Sequence, residues 1–189
     1  MHIFPLIATA LLVLALGCDS VTVDKPFGKA IDATVLDSLR GTWIDNRETV
    51  YHVERGESSD FVVGFTEWDK KTHEFKTRNI PVDLRLVGDR RLLFASTGVK
   101  RDDRFAFIWL SRMEDDALYA RACDPKVFRQ AVADGKLDGE ITKRGEDHFD
   151  VYLRSSPALA EVLAAPEGAR FFGKESDEPL RRLSKPGSE

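Results

Sequence analysis

Two kinds of hydrophobic pattern divide this chain. From Ile3 to Leu16 nearly every position is apolar, interrupted by Pro5 and Thr9, and no charged residue precedes Asp19. A helix packed on a globular core alternates apolar and polar faces; this run does not. It is also shorter than the roughly 20 apolar residues a permanent membrane-spanning helix needs. Its length and small-residue ending fit the hydrophobic region of an export signal, so residues 1–17 are assigned to a cleaved leader. From Thr42 onward the pattern changes to period-two alternation and short apolar blocks separated by turn residues, the signature of β-strands.

Between these regimes, Asp19 to Ala30 shows no repeated apolar spacing and contains Pro26 and Gly28. It reads as a tether, giving residues 18–30 that role and residues 31–184 a single domain. Ile31, Val35, Leu36 and Leu39 form one short helical face. Strands follow at Thr42–Val53, with a bend at Asp45-Asn46, then at Phe61–Trp68, Phe75–Leu86 and Arg91–Ser96. Phe105–Met113 is the most apolar strand, with both faces reading as buried, and Leu118–Cys123 comes next. Asp124-Pro125 is an N-cap and first-turn proline for a helix whose apolar face is Val127, Phe128, Ala131 and Val132, with Gly135 as its stop. Glu140–Thr142 and Phe149–Leu153 are further strands, and Ser156-Pro157 opens a second helix. Phe171-Phe172 and Leu180–Leu183 form a tail that returns as a short strand or covers one end of the domain. Residues 185–189 read as frayed.

Strands joined by short turns, without alternating helices, predict a mainly β (α+β) fold rather than a parallel α/β sheet. The expected architecture is an antiparallel up-and-down meander of about eight strands closed into a small barrel, with one inserted and one C-terminal helix.

The leader has a further feature at its end. Leu14-Ala15-Leu16-Gly17-Cys18 resembles the lipobox of a bacterial lipoprotein signal peptide, in which the cysteine becomes the lipidated first residue of the mature chain. The resemblance implies a lipid anchor at Cys18 and a domain on the periplasmic side of the cell envelope. Asp19, the next residue, implies retention at the inner membrane, as in the enteric lipoproteins this stretch is similar to.

Cysteine usage sharpens that reading. The chain has two cysteines, Cys18 and Cys123. If Cys18 carries lipid, Cys123 has no intramolecular partner and is a free, buried thiol. A Cys18–Cys123 disulfide requires that lipidation does not occur. The formal charge of −4, with 28 basic and 32 acidic residues, offers no basic stripe and argues against nucleic acid. Lys70-Lys71 and Arg181-Arg182 are interleaved with acids and read as solvated surface.

A second resemblance lies in Gly41-Thr42-Trp43, a Gly-x-Trp opening the first strand after a short helix, which looks like the start of the lipocalin group. In that family an arginine after the last barrel strand packs over the tryptophan and a helix follows. Arg154 stands in the matching place, so the resemblance implies a structural plug of Gly41, Trp43 and Arg154. The helix at 125–134 departs from the family, which has a tight hairpin there.

Candidate chemistry is sparse. His52, His73 and His148 lie far apart, with no metal-ligand spacing and no cysteine pair, and no Gly-x-Ser-x-Gly or Gly-rich phosphate loop occurs. Neither a catalytic residue, a metal site nor a cofactor is assigned. The acidic clusters Asp102-Asp103, Glu114-Asp115-Asp116 and Glu146-Asp147 fall in turns. Trp43, Trp68, Phe105, Phe107 and Trp109 suit either a lipophilic cavity or a packed core. The expectation is a non-enzymatic, membrane-tethered module that binds a small apolar ligand or an envelope component. The alternative is a scaffold or subunit with a filled barrel, acting by protein–protein contact.

Overall fold

A computed structural model describes residues 19–46, 48–69, 73–98, 104–146 and 148–184. The leader, Cys18 and the 185–189 tail lie outside the described residues, as do Lys70-Lys71, Asp102-Asp103 and Asp147.

Strands β1 (Ser20–Val23) and β2 (Lys29–Ala30) precede helix α1 (Ala33–Leu39). A meander follows through β3 (Gly41–Ile44), β4 (Val50–Arg55), β5 (Phe61–Asp69), β6 (Glu74–Val87), β7 (Arg90–Ser96), β8 (Phe105–Met113) and β9 (Ala117–Ala122). The chain then leaves the meander for α2 (Pro125–Ala133), the hairpin β10 (Gly139–Arg144) and β11 (His148–Leu153), and α3 (Pro157–Ala164). A 3-10 turn over Pro166–Phe171 leads to β12 (Leu180–Ser184). Strand β12 pairs antiparallel with both β9 and β3, closing an eight-stranded antiparallel barrel of β3 to β9 plus β12.

Several local predictions carry through. Asp124 caps α2 and Ser156 caps α3, as their sequence positions predict, and the structure adds Asp32 as the cap of α1, accepting from the Thr34 N–H at 2.8 Å. Gly135 ends α2 with φ +71°, a conformation that costs glycine little.

Three predictions are corrected. The bend at Asp45-Asn46 is a full turn between β3 and β4. There the buried Asp45 carboxylate accepts from the Thr49 N–H and the Tyr51 hydroxyl at 2.9 and 3.1 Å, which meets its need for partners. The eighth barrel strand is β12, while β10 and β11 stand outside the barrel. The tether is largely structured: β1 lies between β11, which it pairs parallel, and the start of β8, which it pairs antiparallel. Val21 and Val23 are buried there, so the folded domain begins at Asp19 rather than residue 31. Four residues are too few for sequence periodicity to mark a strand between partners more than 80 positions away.

Alternation along β7 and β8 builds two cores. Leu93, Ala95, Ile108 and Leu110 face the barrel interior with Trp43, Tyr51 and Phe65. Their neighbours Leu92, Phe94, Phe107 and Trp109 face outward, where β1, β11, α2, α3 and the 3-10 turn cover them. Phe107 is the centre of that second core, with ring contacts to Phe27, Phe94, Phe128 and Phe172. Both faces of β8 are thus buried, as its unbroken apolar run predicts.

Candidate functional site

The barrel interior and its plugged end form the best-defined candidate region. Helix α1 lies against one end with Leu36 and Leu39 buried. Trp43, fully buried, donates from Nε1 to the Leu39 carbonyl at 2.9 Å, tying the plug helix to the first barrel strand. The indole is covered by an arginine, but not the expected one. The guanidinium of Arg182 lies 4.1 Å from the Trp43 ring centroid, within cation–π range. It donates to the Arg40 carbonyl at 2.7 Å, to the Asp115 carbonyl at 2.9 Å and to the Ser38 carbonyl. It therefore also satisfies carbonyls at the C-terminal end of α1, where a cation is favoured. Burial pulls the Arg182 guanidinium below its ordinary range, opposed by the Asp115 charge.

Arg154 follows β11, outside the barrel, and donates to the exposed Glu140 carboxylate at 2.9 Å, which pushes its own affinity for protons up. Gly41 and Trp43 sit where the plug was expected, and the covering arginine comes from the closing strand. The available signal was the period-two spacing of Leu180 and Arg182, which places Arg182 on the face that Leu180 presents to the interior.

Inside the barrel, Trp43, Tyr51, Phe61, Val63, Ile108 and Leu110 surround a residual cavity of about 70 Å³. Small-molecule sites usually need about 300 Å³ or more, and the wall is almost wholly apolar, so this void is a packing remnant. Of the five aromatics suited to a cavity, Trp43 lines the barrel, whereas Phe105, Phe107 and Trp109 belong to the second core. The side chain of Trp68 lies outside what the structure describes. A wider cleft of about 500 Å³ opens beside the plug, between α1 and the β8–β9 turn. Its lining mixes Val35, Leu39, Met113 and Leu118 with Arg91 and Asp115.

Titratable groups are dispersed. His52 is exposed on β4, next to Thr42 Oγ1 and Glu54 at 3.2 Å each. His73 is exposed in a turn with φ +56°. His148 is exposed at the start of β11, with Nδ1 3.7 Å from an Asp19 carboxylate oxygen. Glu114, Asp115, Asp116 and Glu146 are exposed turn residues. Among the described residues no three His, Cys, Asp or Glu side chains converge as metal ligands.

Cys123 packs against the second core as a free thiol. Its Sγ donates to the Phe107 carbonyl at 3.2 Å. Desolvation pushes this thiol well above its usual range, holding it in the unreactive protonated form.

Compared with known proteins, the chain matches no family model, no curated protein sequence and no solved structure.

Proposed function

We propose that this chain is an exported, lipid-anchored envelope protein that acts by surface contact, with a barrel filled by its own side chains and no catalytic role. The filled interior is the observation that carries the contact reading. About 70 Å³ of residual space is roughly a quarter of what a ligand requires. The outward face of β12, β3 and β4 supplies exposed apolar side chains for contact, among them Leu183 and Val50 at 57% and 41% exposure.

The anchor reading is supported by the uncharged apolar run Ile3–Leu16 and by the Leu14–Cys18 segment just before Asp19. Asp19 following Cys18 favours the periplasmic face of the inner membrane. A lipocalin-like or similar small barrel is supported by the Gly41-Thr42-Trp43 start and the closed meander, although the arginine over Trp43 comes from within the closing strand rather than after it. The segment between β9 and β12 is then an insertion before the closing strand.

A second reading, a module for a small apolar ligand, is favoured by the 500 Å³ cleft beside α1 rather than by the barrel lumen. Thermal unfolding with long-chain fatty acids and a hydrophobic dye separates the two. Surface contact predicts a Tm unchanged within about 1 °C, whereas saturating ligand at 100 times its Kd adds roughly 2.7 kcal/mol and several degrees. Crosslinking in intact cells then reads out a partner: Val50→Glu with Leu183→Glu removes the crosslinked band if that face makes the contact.

A further inference from the structure

We infer that the β10–β11 hairpin rests against the phospholipid headgroups of the membrane that holds Cys18; this rests on the lipid-anchor reading above. Successive Cα atoms are about 3.8 Å apart, and Asp19 is already part of the fold. Its carboxylate accepts from the Phe149 N–H at 2.8 Å. Ser20 follows with Oγ donating to Asp150 at 2.5 Å, and β1 runs parallel to β11 from Ser20 opposite Asp150 to Val23 opposite Leu153.

Parallel pairing fixes the direction of the attachment. The first residue of β1 lies at the end of β11 where the hairpin turns, since Arg144 of β10 faces His148. An acyl chain on Cys18 would therefore be attached one residue before Asp19, which is held to Phe149 near that turn. A free tether would require β1 to peel away, exposing Val21 and Val23 and breaking its pairings on both sides.

The surface at this corner suits headgroups. Lys143, Arg144 and His148 are exposed there, with Glu146 in the turn, and Arg144 is steadied by Asp150 at 2.5 Å. Ile141 on β10 is 37% exposed. Basic and acidic side chains are mixed at this corner, with Arg144 beside Asp150 and His148 beside Asp19. The attachment point rather than a net charge therefore brings it to the headgroups, whose zwitterionic groups offer partners to both signs.

The test uses the acylated full chain in phosphatidylethanolamine–phosphatidylglycerol vesicles containing a headgroup spin-labelled lipid. A bimane fluorophore is placed by Glu146→Cys or by Thr66→Cys, each with Cys123→Ala. Thr66 is exposed on β5, three strands round the barrel from β8. Quenching at 146 should exceed that at 66 by about twofold or more, because only the first label lies in the headgroup layer. A Gly-Ser spacer of about 12 residues between Cys18 and Asp19, with a reach of roughly 20 Å, should erase the difference. Equal quenching at both positions, in protein whose intact mass carries acyl chains, overturns the apposition and leaves the anchor standing. A mature chain without acyl mass overturns the anchor and the apposition together.

Discussion

Arg182 shows how much one side chain can join. It stacks on Trp43, closes the C-terminal end of α1 and anchors the last strand. Arg182→Ala leaves those carbonyls without their charged donor and uncovers the indole, and should lower stability by about 2–3 kcal/mol in urea unfolding. Arg182→Lys keeps the charge but loses the planar fork, and should recover only part of that loss. Arg154→Ala removes an exposed pair with Glu140 and should leave the urea midpoint unchanged. A large effect at Arg154 together with none at Arg182 would reverse the assignment of the plug.

Cys123 gives a second test at this scale. Its raised thiol pKa predicts alkylation by iodoacetamide at pH 8 at least about tenfold slower in the native protein than in urea, because the thiolate is the nucleophile. Folding favours the protonated thiol. Its contribution to stability is therefore complete below the unfolded pKa, near 8.5, and is lost as pH rises towards the folded value.

At the scale of elements, α3 depends on an arginine outside it. Arg90, in the first position of β7, is 6% exposed and gathers the end of the helix. Its Nη1 donates to the carbonyls of Leu163, Ala164 and Ala165 at 2.7, 3.2 and 3.0 Å, and its Nη2 to that of Pro166 at 3.3 Å. Arg90→Met preserves side-chain bulk but orphans these acceptors, and should cost about 3 kcal/mol and lower Tm by roughly 6–12 °C. The turn into β7 is tight against the same helix: Gly88 has φ +63°, and a Cβ there would come within 2.9 Å of Ala164 Cβ.

Asp24, just after β1, accepts from the backbone N–H of Ser155 at 2.7 Å and of Lys25 at 3.0 Å, linking the N-terminal strand to the start of α3. Although burial opposes ionisation, the bonds from Ser155 and Lys25 hold its carboxyl below the usual range. With the folded pKa below the unfolded one, this stabilisation is complete above about pH 4 and is lost as pH falls through the folded value. Asp24→Asn should therefore flatten the acid limb of the stability–pH curve below pH 4.

For the whole molecule, β7 and β8 are the shared wall of two cores, each with a tryptophan under arginine. Arg182 covers Trp43 beside α1, while Arg121 and Arg90 lie 4.7 and 5.1 Å from the Trp109 centroid. Since alternate residues of the same strands belong to different cores, neither core can melt without exposing the back of the other. Urea transitions followed through a Trp43-only and a Trp109-only variant should have coincident midpoints. Separated midpoints would mean that the insertion folds as an independent unit. Truncation after Pro179 removes β12, leaving β3 and β9 with open edges, and should yield aggregation rather than a smaller stable domain.

The sequence by itself determined the local elements. Side-chain period, caps such as Asp124 and Ser156, and turn glycines such as Gly135 act within a few residues, so strands β5 to β9 and helices α1 to α3 were legible, whereas β3 and β4 read as one bent strand. The buried character of both β8 faces was legible too, because an uninterrupted apolar strand has no side to give to water. Only the tertiary structure decided which strand closes the barrel and which arginine covers Trp43. Both depend on the register of Arg182 opposite Trp43, residues 139 positions apart in the chain, and local periodicity carries no information on such pairings. The same holds for Ser20–Val23: its polar and apolar residues look like a linker, and partners in β8 and β11 make it a strand. That distant pairing also brings Asp19, the residue after Cys18, into the fold where a tether was expected.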